Sequence, residues 1–279
     1  MDLHVTLPAE QPDADPRRLA DLARLAEQLG FGGITLPDHL FTPKPPHHYG
    51  GAFDPLITLG YLASVTEQIE LATSVLILPL RNPYAVAKQS ATLARLSAGR
   101  FVLGVGVGWE RFEFDATGVD FAARGARTDS ALHLIRRLHT DDQQPFDDPY
   151  YGHPAGYFTP VPARPVPITV GGMSNAALRR AARLADRWQS HGIGPDAFAE
   201  RAAHLRVMTD RPIDTDGRID MPQGPAAEAA AETAEVLDTW AHTGARRLAV
   251  RCGTDIDSAA ERMRALAACP QARPYLHTA

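Results

Sequence analysis

Short apolar runs alternate along this chain with longer stretches in which apolar residues recur every three or four positions. A run of four to eight bounded by turn formers reads as a buried strand, and the wider spacing reads as an amphipathic helix. Leu3–Leu7 predicts the first strand. An acidic, proline-containing loop follows, and Asp15-Pro16 then supplies a helix N-cap and a first-turn proline. Leu19, Leu22, Ala23, Ala26 and Leu29 share one helical face, and Gly30 stands where a left-handed glycine ends a helix. Phe31–Pro37 predicts the second strand.

The same order repeats. Asp54-Pro55 opens a helix carrying Leu56, Leu59, Leu62 and Val65, and Ile69–Leu78 predicts the third strand. Asn82-Pro83 opens a helix that ends near Ser97, before a fourth strand at Arg100–Val105. A helix over Arg124–His139, a strand over Pro165–Gly171, a helix over Ser174–Asp186 and a weak strand over Arg187–His191 come next. Residues 195–208 and 226–243 read as helices, Arg247–Cys252 as a strand and Asp257–Ala268 as the closing helix. Residues 209–225 hold one short strand at most, Arg218–Met221, and 41–53 and 141–160 read as long loops.

Alternating strands and helices imply a parallel sheet with helical crossovers. Seven or eight such units in 279 residues match a single (β/α)8 TIM barrel, typically ~250 residues. A doubly wound dinucleotide fold wants a glycine-rich turn after its first strand, and Pro8–Pro12 contains no glycine. Net charge is −5, so the basic excess of a nucleic-acid binder is missing. No apolar run approaches a membrane span. Met1–His4 has neither the basic nor the apolar region of a secretory signal. With only two cysteines, Cys252 and Cys269, a reducing, cytoplasmic setting is expected.

A barrel builds its active site at the C-terminal ends of the strands, which singles out Thr73-Ser74-Val75 at the end of strand 3 together with the ends of strands 2, 4 and 5. Asp38-His39 follows strand 2; a histidine moves protons near neutral pH, and an adjacent aspartate can orient it or cap the loop. Gly104, Gly106 and Gly108 alternate at the end of strand 4, either for tight packing or for close approach of a flat ring or phosphate. Gly171-Gly172-Met173-Ser174 joins a strand to a helix whose N-terminus suits an anion. Glu110 and Glu113 lie just past strand 4, as a general acid or as the charged start of a solvated helix. Tyr150, Tyr151, Tyr157 and Phe158 either roof a pocket or anchor a long loop. His4 stands alone and His47-His48 are adjacent, so no metal is expected.

The strings LARLAEQLGFGGITLPDHLF, SVTEQIELATSVLILPLRNPYAVAKQSATLARLSAGRFVLGVGVGWERFEF, FAARGARTD and PVPITVGGMSNAALRRAARLADRW resemble the bacterial luciferase-like family. Within it they resemble the branch that uses coenzyme F420, a deazaflavin, as hydride carrier. The resemblance implies a (β/α)8 barrel with an insertion near strand 7, a cofactor across the C-terminal mouth and a homodimer. It assigns Asp38 and His39, Thr73, Ser74 and Val75, Gly106, Val107 and Gly108, and Gly171, Gly172, Met173 and Ser174 to the cofactor, with a cis peptide between Ser74 and Val75. His39 and Glu110 are the expected catalytic residues. Sugar-phosphate dehydrogenases of the family carry an acid where this chain has Trp109, one place before Glu110. The implied activity is hydride transfer between coenzyme F420 and a small organic substrate. The alternatives are an FMN-dependent monooxygenase and a non-catalytic flavin-binding barrel.

Overall fold

The structure, a computed structural model, describes residues 1–10, 14–41, 43, 53–140 and 142–277. Most of the loop expected at 41–53, including His47-His48, lies outside the described residues, as does Asp141. Nine parallel strands form one sheet: β1 Asp2–Thr6, β2 Gly33–Leu36, β3 Glu70–Thr73, β4 Leu76–Ile77, β5 Phe101–Gly106, β6 Ile168–Gly171, β7 Arg187–Gln189, β8 Asp214–Asp220 and β9 Arg247–Arg251. The order β3-β2-β1-β9-β8-β7-β6-β5-β4, with β3 also paired to β5, closes the sheet on itself. β3 and β4 are the two halves of one stave, parted at Ser74-Val75, so the barrel has eight staves. The expected (β/α)8 barrel is what the chain builds.

Around it run α1 Pro16–Gln28, α2 Pro55–Ala63, α3 Pro83–Leu96, α4 Arg111–Thr117, α5 Arg124–His139, α6 Asn175–Leu184, α7 Pro195–Val207, α8 Ala226–Glu235, α9 Leu237–His242 and α10 Ile256–Ala268. The local signals behave as read. Asp15 accepts from Arg17 N, Asp54 from Leu56 N and Ile57 N, and Asn82 from Tyr84 N and Ala85 N. Each such cap contributes about 1 kcal/mol.

The two faces of the staves differ. The aliphatic core lies between staves and helices, where Leu3, Val5, Ile34, Leu36, Leu103 and Val250 are fully buried. The inward face is polar. His4, Thr35, Glu70, Thr169, Arg187, Gln189, Asp216 and Arg247 line the barrel's axis. Arg187 grips Glu70 through two bonds, of 2.7 and 2.9 Å. Arg247 reaches Asp214 at 2.9 Å and Asp216 at 3.3 Å. Burial pushes the Asp216 carboxyl up to about 6 and the His4 imidazole down to about 4.

Three expectations are corrected. Strand seven is not Arg218–Met221 but the longer and earlier β8, Asp214–Asp220. Its inward positions are charged, and its outward position Gly217 stays small because a Cβ there would lie 2.6 Å from the Trp240 ring. Neither face shows an apolar pattern. Next, no insertion accompanies this stave: residues 221–225 alone join β8 to α8, and the long connections are 37–54 and 140–167. Finally, Ile69–Leu78 is not continuous, because β3 stops at Thr73 and a 3-10 turn at Leu78–Leu80 follows β4. Among the described residues no helix is long and apolar enough to cross a membrane.

Candidate active site

Past the end of β2, Asp38 is 4% exposed. Its carboxylate accepts from Ile77 N at 2.8 Å and from Arg81 Nε and Nη2 at 3.2 and 2.6 Å. Arg81 also reaches Asp54 at 2.6 Å. Both oxygens of Asp38 are therefore engaged inside the protein. That makes it a positioning residue which ties the loop carrying His39 to the stave beside it.

His39 Nδ1 lies 2.9 Å from Glu113 Oε2. The Glu113 side chain is fully buried and that of His39 nearly so. Glu113 Oε1 accepts from Leu40 N at 2.6 Å and Phe41 N at 3.2 Å. Burial raises the cost of a charge on Glu113, but the bonds from His39 and these amides outweigh it and hold its carboxyl below the usual value. An ionised carboxylate only accepts hydrogen bonds. In a neutral imidazole Nδ1 therefore carries the proton, and Nε2 is the basic nitrogen. The Trp109 ring stands edge-on to His39, with centroids 5.7 Å apart.

The carboxylate that meets His39 is Glu113, not the expected Glu110. Glu110 is the N-cap of α4, accepting from Phe112 N, whereas Glu113, one helical turn on, meets the histidine. Both glutamates lie just past the same strand. Nothing local favoured Glu113, because its partner is 74 residues away.

The floor of the mouth forms where β3 gives way to β4. Thr73 Oγ1 donates to Gly104 O at 2.6 Å and accepts from Gly104 N at 2.9 Å, which locks β3 to β5. Ser74 Oγ donates to Gln189 Oε1 at 2.7 Å. The Ser74-Val75 peptide is cis, as expected. Val75 packs where side chains are missing: a Cβ on Gly106 or Gly171 would lie 2.6 or 2.8 Å from its methyl groups. Gly108 has φ +76° and backs onto Ile77 and Phe114, which leaves no room for a Cβ. Val107 is half-buried beside it. At the end of β6, Gly172 has φ +133°, Met173 packs on the core, and Ser174 caps α6 by accepting from Ala177 N at 3.1 Å. Tyr150 and Tyr151 anchor their loop under the Arg127 guanidinium, 5.5 and 5.3 Å from the ring centroids, while Tyr157 is exposed.

The family model described as luciferase-like monooxygenase matches residues 1–273. The chain belongs to that family. An uncharacterized protein of Mycobacterium tuberculosis is 36% identical over 203 residues, 68% of this chain and 70% of that one. An F420-dependent glucose-6-phosphate dehydrogenase of Nocardia farcinica is 37% identical over 210 residues, 72% of this chain and 61% of that enzyme. Among solved structures, a monooxygenase, RslO1 from Streptomyces bottropensis, superposes with a TM-score of 0.82 at 19% identity, covering 96% of this chain and 98% of that one.

The mouth of this luciferase-like barrel has the parts that a flat ring with a phosphate-bearing tail needs. Val75 is the one side chain set among Gly106 and Gly171. A helix N-terminus opens behind Gly172–Ser174, and such a terminus favours negative charge. Two staves further round, Arg218, buried on β8, presents an Nε atom without a hydrogen-bond partner among the described residues. The residues present therefore fit a flavin or a deazaflavin.

Proposed function

We propose that the protein is a cytoplasmic oxidoreductase that moves a hydride between coenzyme F420 and a small organic substrate. The observation that carries the choice of coenzyme is the 37% identity to a dehydrogenase named for F420, in a chain whose mouth pairs His39 with a buried carboxylate. When bound, the deazaflavin supplies the hydride chemistry, and the protein supplies orientation and the accompanying proton. Ser74, Val75 and the glycines around them support the ring, and Gly172, Met173 and Ser174 receive its phosphate-bearing tail. Asp38 and Glu113 fix His39 from two sides, and His39 gives or takes a proton through Nε2. Trp109, 60% exposed beside His39, lends an apolar wall where sugar-phosphate dehydrogenases place an acid. The partners are a small-molecule substrate and a second copy of the chain, with neither nucleic acid nor membrane. Ile57 and Tyr61, exposed one turn apart on α2, offer an apolar face for the second copy.

The alternative is an FMN-dependent monooxygenase, which the likeness to RslO1 keeps in view. Fluorescence titration of the purified protein with coenzyme F420 and with FMN separates the two. F420 is expected to bind more tightly; tight FMN binding without measurable F420 binding overturns the reading in favour of the monooxygenase.

A further inference from the structure

The mouth holds a charge that His39 chemistry leaves unused. Arg218 is 9% exposed, on the stave across the barrel from Ser74. Its Nη1 donates to the Ser74 carbonyl oxygen at 3.1 Å, and its Nε is buried without a hydrogen-bond partner. The carboxylates whose charge favours it, Asp220 and Glu10, lie against Arg251 instead, at 3.6 and 3.3 Å. Burial, and then the like charge of Arg251, pushes Arg218 down to about 10, so it stays a cation at neutral pH. Burying a cation against a neutral carbonyl is costly. Holding Ser74 does not require that charge, because Gln189, on β7 beside the stave of Arg218, already grips the Ser74 hydroxyl at 2.7 Å and any neutral donor could serve the carbonyl.

The charge has a use at the place it occupies. A neutral flavin or deazaflavin ring that accepts a hydride becomes an anion, its charge spread over N1 and the C2 carbonyl oxygen of the pyrimidine. No proton is needed for that balance, and giving the hydride back restores the neutral ring. We propose that Arg218 is the counter-charge for this reduced, anionic ring, so that the mouth binds the reduced cofactor more tightly than the oxidised one. The proposal rests on the reading of the mouth as a flavin or deazaflavin site.

The test uses Arg218→Gln, which keeps a donor for Ser74 without the charge, and Arg218→Lys, which keeps the charge. Oxidised and reduced coenzyme F420 are titrated anaerobically into the wild type and both variants, and oxidised and reduced FMN are titrated in parallel. Arg218→Gln is expected to weaken the reduced form by about 10-fold or more relative to the oxidised form, as for one charge removed within a few ångströms. Arg218→Lys is expected to retain most of the preference, and circular dichroism checks that each variant is folded. Equal weakening of both forms in a folded Arg218→Gln variant overturns the proposal and leaves Arg218 as a support for Ser74. Binding of FMN alone refutes the F420 reading, while the reduced-to-oxidised ratio for FMN still decides the role of Arg218. Failure of the wild type to bind either compound overturns both.

Discussion

Glu113→Gln tests the arrangement on which the proposed chemistry depends. The wild-type carboxylate serves three donors: His39 Nδ1 at 2.9 Å on one oxygen, and the Leu40 and Phe41 amides at 2.6 and 3.2 Å on the other. A glutamine has one oxygen. With that oxygen on the two amides, its NH2 faces the Nδ1–H of His39, donor against donor. The imidazole then keeps an unsatisfied buried N–H or moves its proton to Nε2. Losing one charge-assisted bond costs about 2 kcal/mol, which is roughly 30-fold in the balance of tautomers. The assay is long-range 1H–15N NMR on the free protein, because the two ring nitrogens of each tautomer are resolved there without any substrate. The wild type is expected to show His39 as the Nδ1–H form, and Glu113→Gln to lose that preference. Once a substrate is known, turnover should fall by about 10- to 100-fold, with cofactor affinity nearly unchanged. A wild-type ring protonated at Nε2, or a variant with unchanged ring signals, would refute the assignment of Glu113.

Two further outcomes follow from buried charges. Asp38→Asn removes a fully buried partner of Arg81 while Asp54 keeps its hold, so about 3 kcal/mol of stability should be lost, lowering the melting temperature by roughly 6–12 °C; an unchanged melting temperature would show that the pair contributes nothing. His4 and Asp216 are expected to oppose each other as pH falls. The folded His4, at about 4, stays neutral while the unfolded chain takes up a proton, so stability drops from about pH 6.5 to 4; the folded Asp216, at about 6, takes its proton before the unfolded chain does, so stability rises from about pH 6 to 4. Each contribution is about 3 kcal/mol by linkage. In urea titrations at pH 7 and 4.5, His4→Gln should gain stability on acidification relative to the wild type and Asp216→Asn should lose it, and parallel behaviour of all three proteins would count against both assignments.

The fold was legible wherever its signals are local. Asp15-Pro16, Asp54-Pro55 and Asn82-Pro83 each specify a cap and a first turn within four residues, and each helix starts there. β8 was misplaced because the signal used for strands is apolar burial, and this stave turns Asp214, Asp216 and Arg218 inward while Gly217 yields its outer face to Trp240. In the site, His39 was legible from its place after strand 2 and from the family strings. Glu113 was not, because pairing across 74 residues leaves no local trace and Glu110 offers the same chemistry three residues earlier. The glycines had two readings, packing or approach of a ring. The structure gives Gly106 the first directly, since Val75 fills the space that its side chain would need, as it also does at Gly171.

The polar barrel axis also separates the two ends of the molecule. At the N-terminal end of the staves, Glu70 is gripped by Arg187, and Arg247 is met by Asp214 and Asp216. Cations and carboxylates there answer one another, as a buried ionic group must if it is to support folding. At the C-terminal end the matching is incomplete: Arg218 reaches a carbonyl oxygen, and Glu10 and Asp220 turn to Arg251. Along the axis itself, both arginines at the N-terminal end, Arg187 and Arg247, meet carboxylates, whereas Arg218 at the other end meets only a carbonyl oxygen. At the proposed site the reduced ring would supply that missing anion. The same end carries His39, Glu113, the Ser74-Val75 floor and the start of α6, and it is the end at which barrels of this kind place their chemistry. The imbalance of charge along the axis is therefore a second observation, besides the family resemblance, in favour of the proposed site at the C-terminal mouth.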